Sequence, residues 1–194
     1  MAKVKGPLFS LGATGKLGNS LVYMTWKGID DVRKYVIPAN PRSNGQITQR
    51  GYLQLALTMW HATSFNAADI TAFNNWAAIS AGAMSGFNRV VKEYIDAQVA
   101  GKQFVPITTL ATNTVATTSF NVSATGNAGE AFTLKYGTSP TAMVNTSVVT
   151  NTAGSLTATL TPLVKDTVYY FQITSTTVSE MGRTGIMKQK TAAA

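Results

Sequence analysis

From Thr108 onward the chain is written in short β-forming runs, and turn signals recur between them every few residues. Thr, Ser, Val and Ala dominate. The punctuation is Asn127-Ala-Gly129, Gly137-Thr-Ser-Pro140, Asn151-Thr-Ala-Gly154, Lys165-Asp166 and Met181-Gly182. Strands are expected at Ser119–Ala124, Phe132–Tyr136, Ser147–Val149, Leu156–Leu160, Val168–Thr174 and Gly185–Lys190, with one more before Ser119. About seven short strands at this spacing leave little choice but a two-sheet sandwich, since each run is too short to bury a face alone.

The first ~104 residues follow other rules. Two β-like runs, Ser20–Trp26 and Asp31–Ile37, flank Lys27-Gly28-Ile29-Asp30 and read as a hairpin, which Pro38 and Pro41 then stop. Three amphipathic helices are expected next. Ser43 and Gln46 fit a capping box. Behind them Ile47, Leu55 and Met59 share a face, with Tyr52, Ala56 and Trp60 beside it. The second helix opens at Asn66-Ala-Ala-Asp69 and is expected to bury Ile70, Phe73, Trp76 and Ala77. The third opens at Ser85, carries Phe87, Val90, Val91, Tyr94, Ile95 and Val99, and ends at Gly101-Lys102 with glycine in the left-handed conformation. Phe104-Val-Pro-Ile107 reads as a short stiff link. The expected fold class is therefore an α+β domain over residues 1–104, a β-hairpin plus three helices, followed by an all-β sandwich over 105–194.

Chemistry-bearing residues are sparse. The chain has no cysteine and one histidine, so disulfides, thiolate metal sites and paired imidazoles are excluded. Gly12, Gly15, Lys16 and Gly18 crowd together, but Gly15-Lys16 is followed by Leu17 where a phosphate-binding loop needs Ser or Thr, and a strand follows where a helix is needed. Turns feeding a hairpin explain the glycines better. His61 ends the first helix, Asp30-Asp31 sits in a turn, and Glu93 and Asp96 lie on a solvated helix face. Glu130, Asp166 and Glu180 fall singly in loops, and Trp26, Trp60 and Trp76 are read as core. No catalytic set, cofactor site or metal site is expected. No apolar run reaches the ~20 residues of a bilayer span, and no secretion signal or membrane partner is expected.

Net charge is +8, and residues 1–104 carry eleven Lys and Arg against five acidic residues. The positive residues are scattered, which favours a solvated basic face, or one docking on an acidic partner, over nucleic acid.

Two resemblances extend this reading. Leu163–Ile173 resembles the corner that leads into the sixth strand of fibronectin type III domains. There a Leu precedes a Tyr by six residues, here Leu163 and Tyr169, and the Tyr hydroxyl ties the corner to nearby backbone. The resemblance implies that Tyr169, Phe171 and Ile173 point inward, alternating with Tyr170 and Gln172. Phe132–Gly137 resembles the family's third strand, with Phe132, Leu134 and Tyr136 on one face. The family's second-strand Trp is absent, leaving Phe120 or Val122 to fill that space.

The first half resembles a small domain of tailed-phage and prophage structural proteins. The matching residues are Gly15-Lys-Leu-Gly18, Val22-Tyr23, Val32-Arg33, Asn40-Pro41-Arg42-Ser43 with Gln46, Gln49 and Arg50, then Trp60, Trp76 and Ser85-Gly-Phe-Asn88. This implies a non-enzymatic virion protein on the particle exterior, made in the host cytoplasm, acting as a capsid decoration or head-fibre protein. A tail, baseplate or fibre-adaptor component is one alternative, and a carbohydrate-binding or adhesion module another. The docking candidates are Tyr23, Trp26, Arg33, Tyr35, Asn40, Pro41 and Arg42. The expected partners are capsid or tail subunits, further copies of the chain in the particle, and a host-surface glycan or protein meeting the C-terminal sandwich.

Overall fold

The computed structural model describes residues 2–3, 14–37, 39–40, 42–79 and 84–193. The chain divides into two compact units, Met1–Ser43 and Asn44–Ala194. The division falls before the helices, whereas the sequence places a boundary after residue 104.

The first unit is an antiparallel sheet of β1 (Ala2–Lys3), β2 (Gly15–Leu17), β3 (Leu21–Trp26) and β4 (Ile29–Lys34), in the order β1-β4-β3-β2. The glycine-and-lysine stretch is thus a strand and a turn. Lys16 pairs with Val22, and Gly18 takes φ +56° where the chain reverses; Leu11 and Gly12 lie outside the described residues. The hairpin is tighter than its sequence suggests. Lys27 and Gly28 alone form the loop, with φ of 51° and 77°, and Trp26 pairs directly with Ile29. Two residues at positive φ match the right-handed strand twist of a type I′ turn, so the second strand starts two residues early. Asp30 and Asp31 therefore lie in a strand, not a turn, and the Thr25 hydroxyl donates to Asp30 Oδ1 at 2.8 Å.

The second unit holds α1 (Asn44–Ala62), α2 (Ala67–Ile79), α3 (Gly86–Val99), β5 (Gln103–Phe104), β6 (Thr108–Asn113), β7 (Phe120–Thr125), β8 (Phe132–Gly137), β9 (Asn145–Val148), β10 (Thr150–Thr152), β11 (Ser155–Leu160), β12 (Val168–Ser175), β13 (Glu180–Met181) and β14 (Met187–Lys190). Two four-stranded antiparallel sheets, β10-β11-β7-β6 and β14-β12-β8-β9, form a β-sandwich. The fold is α+β with a β-sandwich. Phe120, Val122, Leu134, Leu156, Leu160, Phe171 and Ile173 are buried in one core cluster. The rings of Phe120 and Phe171 stand 5.7 Å apart, so Phe120 supplies an aromatic from the second sandwich strand. Each such burial contributes about 1.5–3 kcal/mol.

The helices form a third layer. Phe73, Trp76, Val90 and Ile186 make a second core cluster, against which Trp60, Phe65, Phe104 and Tyr170 pack. This layer explains why Gln172 is buried and Tyr170 half-buried, although the alternation of β12 sends both away from the sandwich core. Gln172 Nε2 donates to the Thr184 carbonyl at 2.7 Å. The layer is joined to the sandwich by backbone: Ile186 N–H donates to the Ala72 carbonyl at 3.0 Å, and a Cβ on Gly185 would stand 2.1 Å from the Ala72 carbonyl carbon. The expected link at Phe104–Ile107 belongs to this fabric. β5 pairs in parallel with β13, and Val105 and Ile107 are buried.

Several helix faces differ from the periodicity. In α1 the inward side is Tyr52, Ala56, Met59 and Trp60, while Ile47 and Leu55 are exposed. In α2 Ile70 is exposed and Asp69 buried; in α3 Val99 is exposed and Glu93 buried. Both acids have partners inside. Asn66 and Asp69 cap each other reciprocally, at 3.1 and 2.8 Å, and the same carboxylate accepts Thr109 N–H and Leu110 N–H at 2.9 Å each. Thr109 takes φ +53° at a bulge of β6, which presents two adjacent amides to one carboxylate. Glu93 pairs with Arg89 at 2.9 Å, and that guanidinium lies 3.9 Å from the Trp76 ring centre. Ser85 caps α3 through Asn88 N–H at 3.3 Å, and Gly101 ends it at φ +67°. No helix among the described residues is long and apolar enough to cross a membrane.

Candidate docking surface

Residues directly opposite in an antiparallel pair share a face, and neighbours along a strand alternate. The register of the first unit therefore sorts its side chains. One face carries Trp26 opposite Ile29, Met24 opposite Asp31, and the row Lys16–Val22–Arg33. The other carries Tyr23 opposite Val32 and Leu21 opposite Lys34. Tyr35 continues the first face; its N–H donates to Ser20 O at 2.8 Å, and Lys16 Nζ lies 4.0 Å above its ring centre. A cation over an aromatic face at this distance is attracted by the ring quadrupole.

Lys16, Val22, Arg33, Lys34, Tyr35 and Val36 line a groove of about 500 Å³ on this unit. Of the sequence-derived candidates, the structure brings Arg33 and Tyr35 together in the groove and sets Trp26 farther along the same face. Tyr23 occupies the opposite face, half-buried. Asn40 and Arg42 are exposed beyond the sheet, with Arg42 at φ +48°; Pro41 lies outside the described residues. Lys16 enters the site although its sequence context suggested only a turn. Pairing β2 with β3 places it there, and a three-residue strand gives no readable alternation.

None of the described residues from 14 to 43 is buried. Trp26 is 63% exposed, which corrects its reading as core, and Val36 and Ile37 are more exposed still. Seven basic residues against two acidic give residues 1–43 a net charge of +5. Among the described residues of this unit, exposed apolar side chains therefore stand beside basic ones, with Trp26, Val36 and Ile37 next to Lys27, Arg33 and Lys34.

His61 is exposed in the last turn of α1. The three sandwich acids are not single, as their loops suggested. Asp166 pairs with Lys190 at 2.6 Å. Glu180 lies beside Glu130; desolvation first, then hydrogen bonding to Glu130 and its charge, raises the Glu180 carboxyl above its usual range. Among the described residues no group of three or more His, Asp or Glu could hold a metal ion. At the sandwich corner Leu163 is buried, and Val164 N–H donates to the Tyr169 hydroxyl at 3.0 Å.

No family profile and no curated protein matches the chain. Solved structures similar to it include a β-sandwich protein redesigned by computation, at 17% identity over 45% of this chain and 95% of that one, TM-score 0.36. The sensor domain of the anti-sigma factor RsgI4 of Pseudobacteroides cellulosolvens aligns at 19% identity over 46% of this chain and 94% of its own, TM-score 0.35. Domains d3–d4 of the rat CD45 extracellular region align at 18% identity over 46% and 50%, TM-score 0.37.

Proposed function

We propose that this chain is a non-enzymatic structural protein of a tailed-phage particle, docked by residues 1–43 on an acidic protein surface of the capsid exterior and displaying a fibronectin type III-like sandwich. The observation that carries the reading is the first unit itself: a four-stranded sheet in which none of the described residues from 14 to 43 is buried, in a segment with a net charge of +5. A sheet with an apolar face gains stability by burying that face against another element. Its positive charge disfavours a second copy of itself as the cover and favours an acidic partner, chiefly through faster, oriented association. The sandwich reading is supported by the strand order β14-β12-β8-β9 facing β6-β7-β11, and by the Tyr169 corner.

Quantitative mass spectrometry of purified particles tests this, with gold labelling to locate the chain. The reading expects a fixed copy number per particle and label on the head. Label on the tail would move the docking site to a tail or baseplate subunit. Absence of the polypeptide from purified particles would refute the proposal.

A further inference from the structure

The outer face of the β10-β11-β7-β6 sheet is unlike the rest of the molecule. No charged residue lies between Lys102 and Glu130, or between Lys135 and Lys165. Every strand of this sheet falls within those two stretches, so the sheet carries no charge at all. The opposing sheet carries Lys135, Lys188 and Lys190. Outward positions are filled almost wholly by hydroxyls and amides. Asn121, Ser123, Thr157 and Thr159, with Asn113 and Thr150, line a concavity of about 570 Å³ together with three apolar residues, Val122, Val148 and Ala158.

The polar groups here are held in order. Thr159 Oγ1 donates to Asn121 Oδ1 at 2.9 Å, and Asn113 Nδ2 donates to Ser123 Oγ at 2.8 Å. Asn121 therefore presents its amide nitrogen as donor, and Asn113 its amide oxygen as acceptor. We infer that this concavity binds an uncharged oligosaccharide. The lining decides the ligand class by exclusion. A charged ligand would lose water with no counter-charge to meet it, and an apolar one would strand the hydroxyls and amides. A neutral ligand bristling with hydroxyls offers a donor or acceptor to each. The lining holds no aromatic ring on which a sugar could stack, so single-site affinity is weak and retention depends on many copies displayed together. The inference stands apart from the docking assigned to residues 1–43.

The test presents the full-length chain, clustered on beads, to an array of glucan, mannan, galactan and N-acetylglucosamine oligomers beside sialylated and sulfated ones. Retention on at least one uncharged oligomer is expected, equal at low and high salt. Thr157→Glu and Ser123→Glu should each lower it at least tenfold, and Lys188→Glu on the other sheet should leave it unchanged. Thermal midpoints verify that each variant folds, and Asn121→Ala, expected to lose at least threefold, serves where a glutamate variant does not. The inference fails if no uncharged oligomer is retained, or if the concavity variants bind like the parent chain. It fails equally if retention collapses with salt, which would place the binding on the basic first unit.

Discussion

Val164 donates its backbone N–H to the Tyr169 hydroxyl at 3.0 Å, and the Val164 carbonyl accepts the Thr191 hydroxyl at 2.7 Å. Both polar groups of one residue are thereby fixed, one to the start of β12 and one to the segment after β14. Tyr169→Phe removes the acceptor and leaves the amide without it, a cost of about 1–2 kcal/mol. The thermal midpoint should fall by roughly 2–8 °C. Leu163→Ala at the same corner should cost about 2–5 kcal/mol by opening a cavity. A Tyr169→Phe chain as stable as its parent would show that the hydroxyl carries no load.

Asp69 accepts three backbone N–H groups, one from its own cap and two from β6. Asp69→Asn keeps the shape but loses the charge and one acceptor. Destabilisation of about 3 kcal/mol is expected, since charge-assisted bonds in a buried site are each worth more than neutral ones. Helical and near-ultraviolet circular dichroism should fall together on heating. Loss of the helix signal well before the sandwich signal would contradict the shared layer.

The division between Ser43 and Asn44 is itself testable. A fragment of residues 44–194 should unfold in one transition close to that of the second unit in the full chain. A fragment of residues 105–194 strips the helices from Ile186 and Tyr170 and removes Ala72, so its midpoint should drop sharply. Gly185→Ala should imitate part of that loss, because the new Cβ collides with α2 backbone that has no room to yield. Equal midpoints for 105–194 and 44–194 would favour a boundary at residue 104.

Glu180 has a raised carboxyl beside Glu130. A group whose pKa is higher folded than unfolded binds its proton more tightly in the fold. Stability therefore declines as pH rises from the ordinary glutamate range through the raised value, and is not regained above it. Glu130→Gln should flatten that decline and raise the midpoint at neutral pH. Thermal scans from about pH 4 to about pH 7 read the effect; identical profiles for the two chains would remove the coupling.

Much of the second unit was legible because its signals are local. Turn residues at short intervals set the strands, and Leu163–Ile173 announced the buried alternation of Tyr169, Phe171 and Ile173. Phe120 or Val122 could be named for the space of a missing Trp, and both are buried. What stayed hidden depends on distant partners. Asp69 reads as a cap until the bulge at Thr109 brings two more amides to it, and Glu93 reads as solvated until Arg89, itself stacked on Trp76, pairs with it. Ile47 and Leu55 follow helical spacing yet face outward, because periodicity reports an apolar side without saying what covers it. The same gap misplaced Trp26, and it hid Lys16 from the groove that Arg33 and Tyr35 share.

In the proposed function residues 1–43 act as an adhesive basic segment. Co-sedimentation with purified particles, stripped of this chain and then mixed with it, tests that most directly. The full chain should pellet with the particles, more weakly as salt rises, and Lys16→Glu/Arg33→Glu should cut the bound fraction at least tenfold while residues 44–194 alone remain in solution. Residues 44–194 pelleting as well as the full chain would contradict it.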